Sequence, residues 1–230
     1  MGFTMLMHKN ARAALPGISL AVFAALLSAP AHAAEYSIMG SGTFKSPGAA
    51  QITNLPTDSP FSAADLASGT LSFSINWDDS VADSNTDPYS GLYPTSITRF
   101  LVKIGNTQIA LPVAPSQIQV SDGGFGAVYR ESIRLQTILV TPVYSLDAGW
   151  VLLNQQPTTA DLRGAPGSLR SDALPTANQM AGFGASGPHD KAFYLILKTP
   201  GSESRPAIYI NTSTIKSIQY GPVPVPALSN

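Results

Sequence analysis

The sequence predicts an all-β fold, a single antiparallel β-sandwich that is jelly-roll-like, behind a removable leader. Three observations carry this. Apolar and polar residues alternate with period two from Thr70 to Trp77, the pattern of a strand with one buried face. Short apolar runs follow one another between clusters of Pro, Gly, Ser and Asp, as in sandwiches and barrels. No stretch shows a 3.6-residue period with caps at both ends.

The leader comes first. Lys9 and Arg12 precede an apolar run from Leu15 to Leu27, and Ala31-His32-Ala33 supplies a small-x-small cleavage signature. The run is shorter than the roughly 20 residues that span a bilayer. Residues 1–33 are therefore read as a signal peptide and 34–220 as the folded domain. In the segment 221–230, Pro222, Pro224 and Pro226 predict an extended, unpacked tail. The expected location is secreted, at the cell surface or in the periplasm, with no membrane span in the mature chain.

Within the domain, Leu71, Phe73, Ile75 and Trp77 share one face of the first clear strand. Phe100, Val102 and Ile104 repeat the pattern, with Leu101 out of register. Gly105-Asn106 then reads as a two-residue hairpin turn before Thr107–Leu111. Ile118 and Val120 alternate with Gln117 and Gln119, and Tyr129–Val140 makes one long strand. Phe193–Leu197 is continuously apolar, which suits a strand covered on both faces. Ile208, Ile210, Ile215, Ile218 and Tyr220 close the domain. Asp65 starts at most one helical turn before Gly69, and Asp78–Pro94 and Asn154–Gly187 read as loops.

Composition narrows the function. There is no cysteine, which removes thiol chemistry, disulfides and thiolate metal sites. Without the leader, 11 basic residues stand against 14 acidic ones, a poor match for nucleic acid. The charge is uneven: Ser46–Thr98 holds six Asp and no Lys or Arg.

Three stretches carry a family resemblance. They are Gly69–Ser74 running into Asp78–Pro88, then Gly91-Leu92-Tyr93-Pro94 with Ile97–Gly105, and Ser171–Thr176. In this order the chain resembles uncharacterised exported proteins of the PEP-CTERM (exosortase-sorted) type from Gram-negative bacteria, over roughly residues 68–220. Val223–Leu228 looks like the start of a sorting tail, but no membrane-spanning segment follows before Asn230. The resemblance implies a surface or extracellular-matrix protein in organisms that often make exopolysaccharide, and it supplies no catalytic residues.

The candidate metal site is the Asp-rich loop. Asp78, Asp79, Asp83, Asn85 and Asp87 lie within ten residues, and calcium takes six to eight oxygen ligands. Asp83-x-Asn85-x-Asp87 has the spacing that opens an EF-hand, but Pro88 and Pro94 break that motif. The plainer reading is a solvated turn. Tyr89 and Tyr93 beside the loop, and Trp150, could stack on a sugar ring; the alternative for Trp77 and Trp150 is burial in the core.

Other motifs are weak. Gly182-Phe183-Gly184-Ala185-Ser186-Gly187 fits a dinucleotide pattern without the strand and helix it needs. His189 is the only histidine outside the leader, and the residues around Ser186 lack a nucleophile elbow. The expectation is thus a non-enzymatic secreted surface or matrix protein without a cofactor, its partners exopolysaccharide or other cell-surface components. The alternative is a calcium-assisted carbohydrate-binding module. A secreted glycoside hydrolase, with paired carboxylates set by the fold, comes third.

Overall fold

The computed structural model describes residues 35–56, 58–123, 129–156, 158, 168–169, 171–183, 189–199 and 208–223. The chain divides into Met1–His32 and Ala33–Asn230. The leader, the Gly-rich motif past Phe183, the His189 side chain and the tail from 224 lie outside the described residues.

Among the described residues, the domain has ten strands and three short helices. In chain order they are β1 (Glu35–Phe44), α1 (Ala49–Thr53), α2 (Ala63–Ala67), β2 (Thr70–Asp78), β3 (Ser90–Pro94), β4 (Ile97–Ile104), β5 (Thr107–Leu111), β6 (Ser116–Asp122), β7 (Tyr129–Val140), β8 (Ser145–Gln156), α3 (Ala177–Gly182), β9 (His189–Lys198) and β10 (Ile208–Pro222). All strand pairs are antiparallel. The all-β prediction holds, in a particular form. One continuous ladder runs β3-β6-β7-β8-β9-β10-β1-β2-β4-β5 and curls into a half-barrel. From β6 to β10 it is a plain meander, and β10 joins the two halves by pairing with β9 and β1.

The core lies inside the curl, and aromatic rings join its two halves. Phe73 of β2 meets Trp150 of β8 at 5.0 Å between ring centroids and Phe193 of β9 at 4.8 Å. Phe100 of β4 meets Phe193 edge-on at 6.3 Å. Such pairs add to the burial of large apolar area that drives the collapse. The period-two reading of β2 is right: Leu71, Phe73, Ile75 and Trp77 are all buried. Leu101, out of register in the sequence, faces outward and is half-buried.

The structure differs from the sequence reading in several places. β9 is not covered equally on both faces: Phe193, Leu195 and Leu197 are buried, whereas Tyr194 and Ile196 are half-buried. β3 and α3 lie within segments whose sequences read as loops, and β1 and β8 form where the sequence predicts no strand. α2 begins at Ala63, because Ser62 is its N-cap and Asp65 completes a capping box. The predicted tail starts later than Gly221, since Gly221 and Pro222 pair with Ser37 and Tyr36. Pro222 is tolerated there because it ends the strand, and the Val223 N–H bonds to the Glu35 carbonyl at 2.8 Å.

Gly105 carries the β4–β5 hairpin. Its φ of +56° at the first of two loop positions is the type II′ pattern that glycine adopts without penalty.

Candidate functional site

The Asp-rich loop is built from side chains that accept from their own backbone. Asp83 Oδ1 accepts the Asn85 N–H at 2.8 Å, Asn85 Oδ1 accepts the Asp87 N–H at 3.2 Å, and Asp87 Oδ1 accepts the Tyr89 N–H at 3.0 Å. Each bond reaches two residues along the chain, so the every-second-residue spacing forms three successive Asx turns. Asp78 does the same with the Ser80 N–H at 2.8 Å. Asp83 Oδ1 also takes the Leu92 N–H, at 2.8 Å, which ties the loop to β3.

The five candidate ligands do not form one group. Asp78 ends β2, and Asp79 faces Tyr36 on β1. Burial and the neighbouring Asp79 raise the Tyr36 pKa. Asp83, Asn85 and Asp87 follow the turn chain. Among the described residues, no three His, Asp or Glu side chains gather as a metal site.

The two tyrosines separate. Tyr89 is 43% exposed. Tyr93 is 5% exposed, and its hydroxyl donates to the Asp172 carbonyl at 2.8 Å. Burial first, and then Asp83 and Asp172, push its pKa up to about 12. A buried ring cannot serve as a stacking platform. Trp150 is likewise not beside a loop: it sits inside β8, fully buried on Phe73. Trp77 is buried too, its indole N–H donating to the Pro175 carbonyl at 3.3 Å.

The three stretches behind the family resemblance therefore meet in space. Asp83 bonds to Leu92, Tyr93 to Asp172, and Trp77 to Pro175. Gly91 lets the 172–175 segment in: a Cβ there would lie 2.3 Å from the Asp172 carbonyl oxygen. Together these bonds lay the 172–175 segment against β2 and β3.

A buried polar row on the inner face went unnoticed in the sequence. Asp122, Glu131 and Asn154 stand opposite one another on β6, β7 and β8, at 1%, 0% and 0% exposure. Glu131 accepts from the Tyr129 hydroxyl at 2.8 Å, the Asn154 amide at 3.0 Å and the Leu169 N–H at 2.9 Å. Desolvation nevertheless raises its pKa, against those donors. The carboxylate holds segment 168–169 to the sheet. The period-two pattern marks Glu131 as inward-facing beside Ile133, which is the signal that could have found it.

The outer face of β10, β1, β2, β4 and β5 carries a groove of ≈320 Å³. Its volume lies at the small end of ligand pockets, which run from about 300 to 1,000 Å³. Two cross-strand rows floor it. One runs Ser217–Ser41–Ser72–Lys103–Gln108, the other Gln219–Met39–Ser74–Leu101. Ser41 and Ser217 share a hydrogen bond at 2.7 Å. Met39, 47% exposed, gives the floor an apolar spot. Among the described residues, no carboxylate or imidazole lines the groove.

The fold and groove define a β-sheet protein with a shallow outer groove of mixed lining, in which serine and glutamine side chains and Lys103 stand beside Met39, Phe73 and Leu101. No family model, no curated protein and no solved structure matches the chain.

Proposed function

We propose that this chain is an exported, non-enzymatic surface or matrix protein that holds polysaccharide on its outer sheet face. The observation that carries the reading is the groove lining. Serine hydroxyls, glutamine amides and the exposed Met39 side chain suit a sugar, which offers hydroxyls at its rim and C–H groups on its ring face. Among the described residues the lining offers no pair of acids with which to protonate a leaving group and activate water, as glycoside hydrolysis requires. Export is read from Lys9, Arg12, the apolar run and Ala31-His32-Ala33.

The test is retention of the purified protein on immobilised polysaccharide, comparing the native chain with Ser72→Trp, which fills the groove floor. Retention lost in the variant while its melting temperature is kept supports the reading. Equal retention of both sinks it.

A second reading is calcium-assisted sugar binding at Asp78–Asp87. Tyr89, exposed at the end of the Asx-turn chain, favours it. Binding to the native state alone raises stability by mass action. Millimolar calcium should then raise the melting temperature, and chelator should reverse the gain; no shift removes this reading.

A further inference from the structure

We infer that the groove selects acidic polysaccharide, a chain bearing uronate carboxylates, and that Lys103 is the residue that recognises the charge. This rests on the polysaccharide reading above and names the ligand class for the same groove.

The placement of charge carries the inference. Among the described residues, Lys103 is the only charged one in the lining. It stands between Ser72 of β2 and Gln108 of β5, its register partners on either side. Among the described residues its ammonium has no carboxylate partner, although the domain as a whole is acidic. Arg99 lies on the same outward face of the same strand, four residues back, and is also exposed. Lys216 is exposed next to Ser217, where β10 carries a bulge against β1. The acids nearest along the strands, Glu35 and Asp78, sit opposite each other at the far end of the β1–β2 ladder, beyond the lining.

A neutral sugar would use the hydroxyls, the amides and the Met39 side chain, and would leave the ammonium as a bystander. A uronate uses all four. Its ring lies against Met39 and Leu101, its hydroxyls meet Ser72, Ser74 and Gln219, and its carboxylate reaches Lys103. The ammonium is a compact point charge on a flexible stem, so it follows a carboxylate along a polymer without demanding one fixed geometry. An exposed ion pair of this kind is weak singly and sensitive to salt. Repetition along a polymer multiplies it.

The experiment measures affinity of the purified protein for polygalacturonate and for dextran, by affinity electrophoresis at low and high sodium chloride. Polygalacturonate should bind more tightly at low salt and weaken as salt rises, while dextran binding stays level. Lys103→Gln should lose about three- to fivefold on polygalacturonate at low salt, as expected for one exposed ion pair, and the difference from the native chain should close as salt rises. Ser72→Trp should lose both polysaccharides, with the melting temperature checking that each variant is folded. If Lys103→Gln binds polygalacturonate as the native chain does, the inference is overturned. If dextran binds and polygalacturonate does not, the inference falls and the polysaccharide reading stands. If neither binds, both fall. Tighter binding to anionic vesicles or to DNA than to polygalacturonate would also overturn it.

Discussion

Asp65 accepts the backbone N–H of Asn106 at 3.0 Å, joining α2 to the β4–β5 hairpin across 41 residues of sequence. The same carboxylate takes the Thr107 hydroxyl at 2.9 Å, the Ser62 N–H at 3.0 Å and the Ser62 hydroxyl at 2.7 Å. One buried side chain therefore caps a helix and fixes a turn. Asp65→Ala strands those donors, and removing a partner of buried charged hydrogen bonds costs more than the bonds' net worth. The expected loss is about 2–4 kcal/mol, read from urea unfolding midpoints. Ser62→Ala, which removes the cap alone, should cost about 1 kcal/mol.

The acid side of the stability curve follows from the same group. Four hydrogen bonds outweigh desolvation and hold the Asp65 pKa well below the ordinary carboxylate range. The unfolded chain binds that proton more readily, so this contribution is present above pH of about 4 and is lost as pH falls below it. Asp65→Asn should flatten the acid limb of unfolding free energy against pH. A limb of unchanged slope would count against the assignment.

Glu131 has the opposite sign. Its folded pKa is raised, so the native state binds the proton more tightly than the unfolded chain. Stability from this group is full below its unfolded pKa of about 4.3 and declines as pH rises through the folded value. Glu131→Gln should remove that decline; its amide oxygen can keep the Tyr129 and Leu169 donors, while its NH2 replaces the oxygen that accepts from the Asn154 amide. Unfolding free energy from pH 4 to 8, in native chain and variant, reads the difference.

Phe73→Ala tests the join between the two halves of the sheet. The ring touches Trp150 and Phe193 across the core and lies over Gly40, where a Cβ would come within 2.5 Å of it. Truncating such a buried aromatic costs about 3–5 kcal/mol. Circular dichroism on heating should show a single transition at a markedly lower temperature.

Much of the fold was legible because burial has a period. Leu71, Phe73, Ile75 and Trp77 announce β2, and Gly105-Asn106 announces the hairpin that follows β4. β8 is obscured in the sequence because Gly149 interrupts its apolar run. Gly149 is there for contact: a Cβ would meet the Leu135 carbonyl oxygen and the Tyr194 ring at 2.7 Å. β3 was missed because its five residues sit among turn formers and gain strand character only by pairing with β6. The groove could not be read at all. Its residues come from five strands, and only the register places Lys103 beside Ser72.

The Asp83-x-Asn85-x-Asp87 spacing serves a chain of Asx turns and is also the spacing that opens a metal loop. In both, alternate side chains point back to one side, and here backbone N–H groups meet the Oδ1 of each side chain. Two variants of Asp83 separate the roles. Asp83→Asn keeps an acceptor oxygen for the Asn85 and Leu92 N–H groups, so in chelator its stability should match the native chain within about 0.5 kcal/mol. Asp83→Ala removes both bonds and should cost about 1 kcal/mol. If calcium binds here, Asp83→Asn should still lose part of any calcium-dependent rise in melting temperature, because ligand charge sets affinity in such sites. A full calcium response in Asp83→Asn would assign Asp83 to the turn alone.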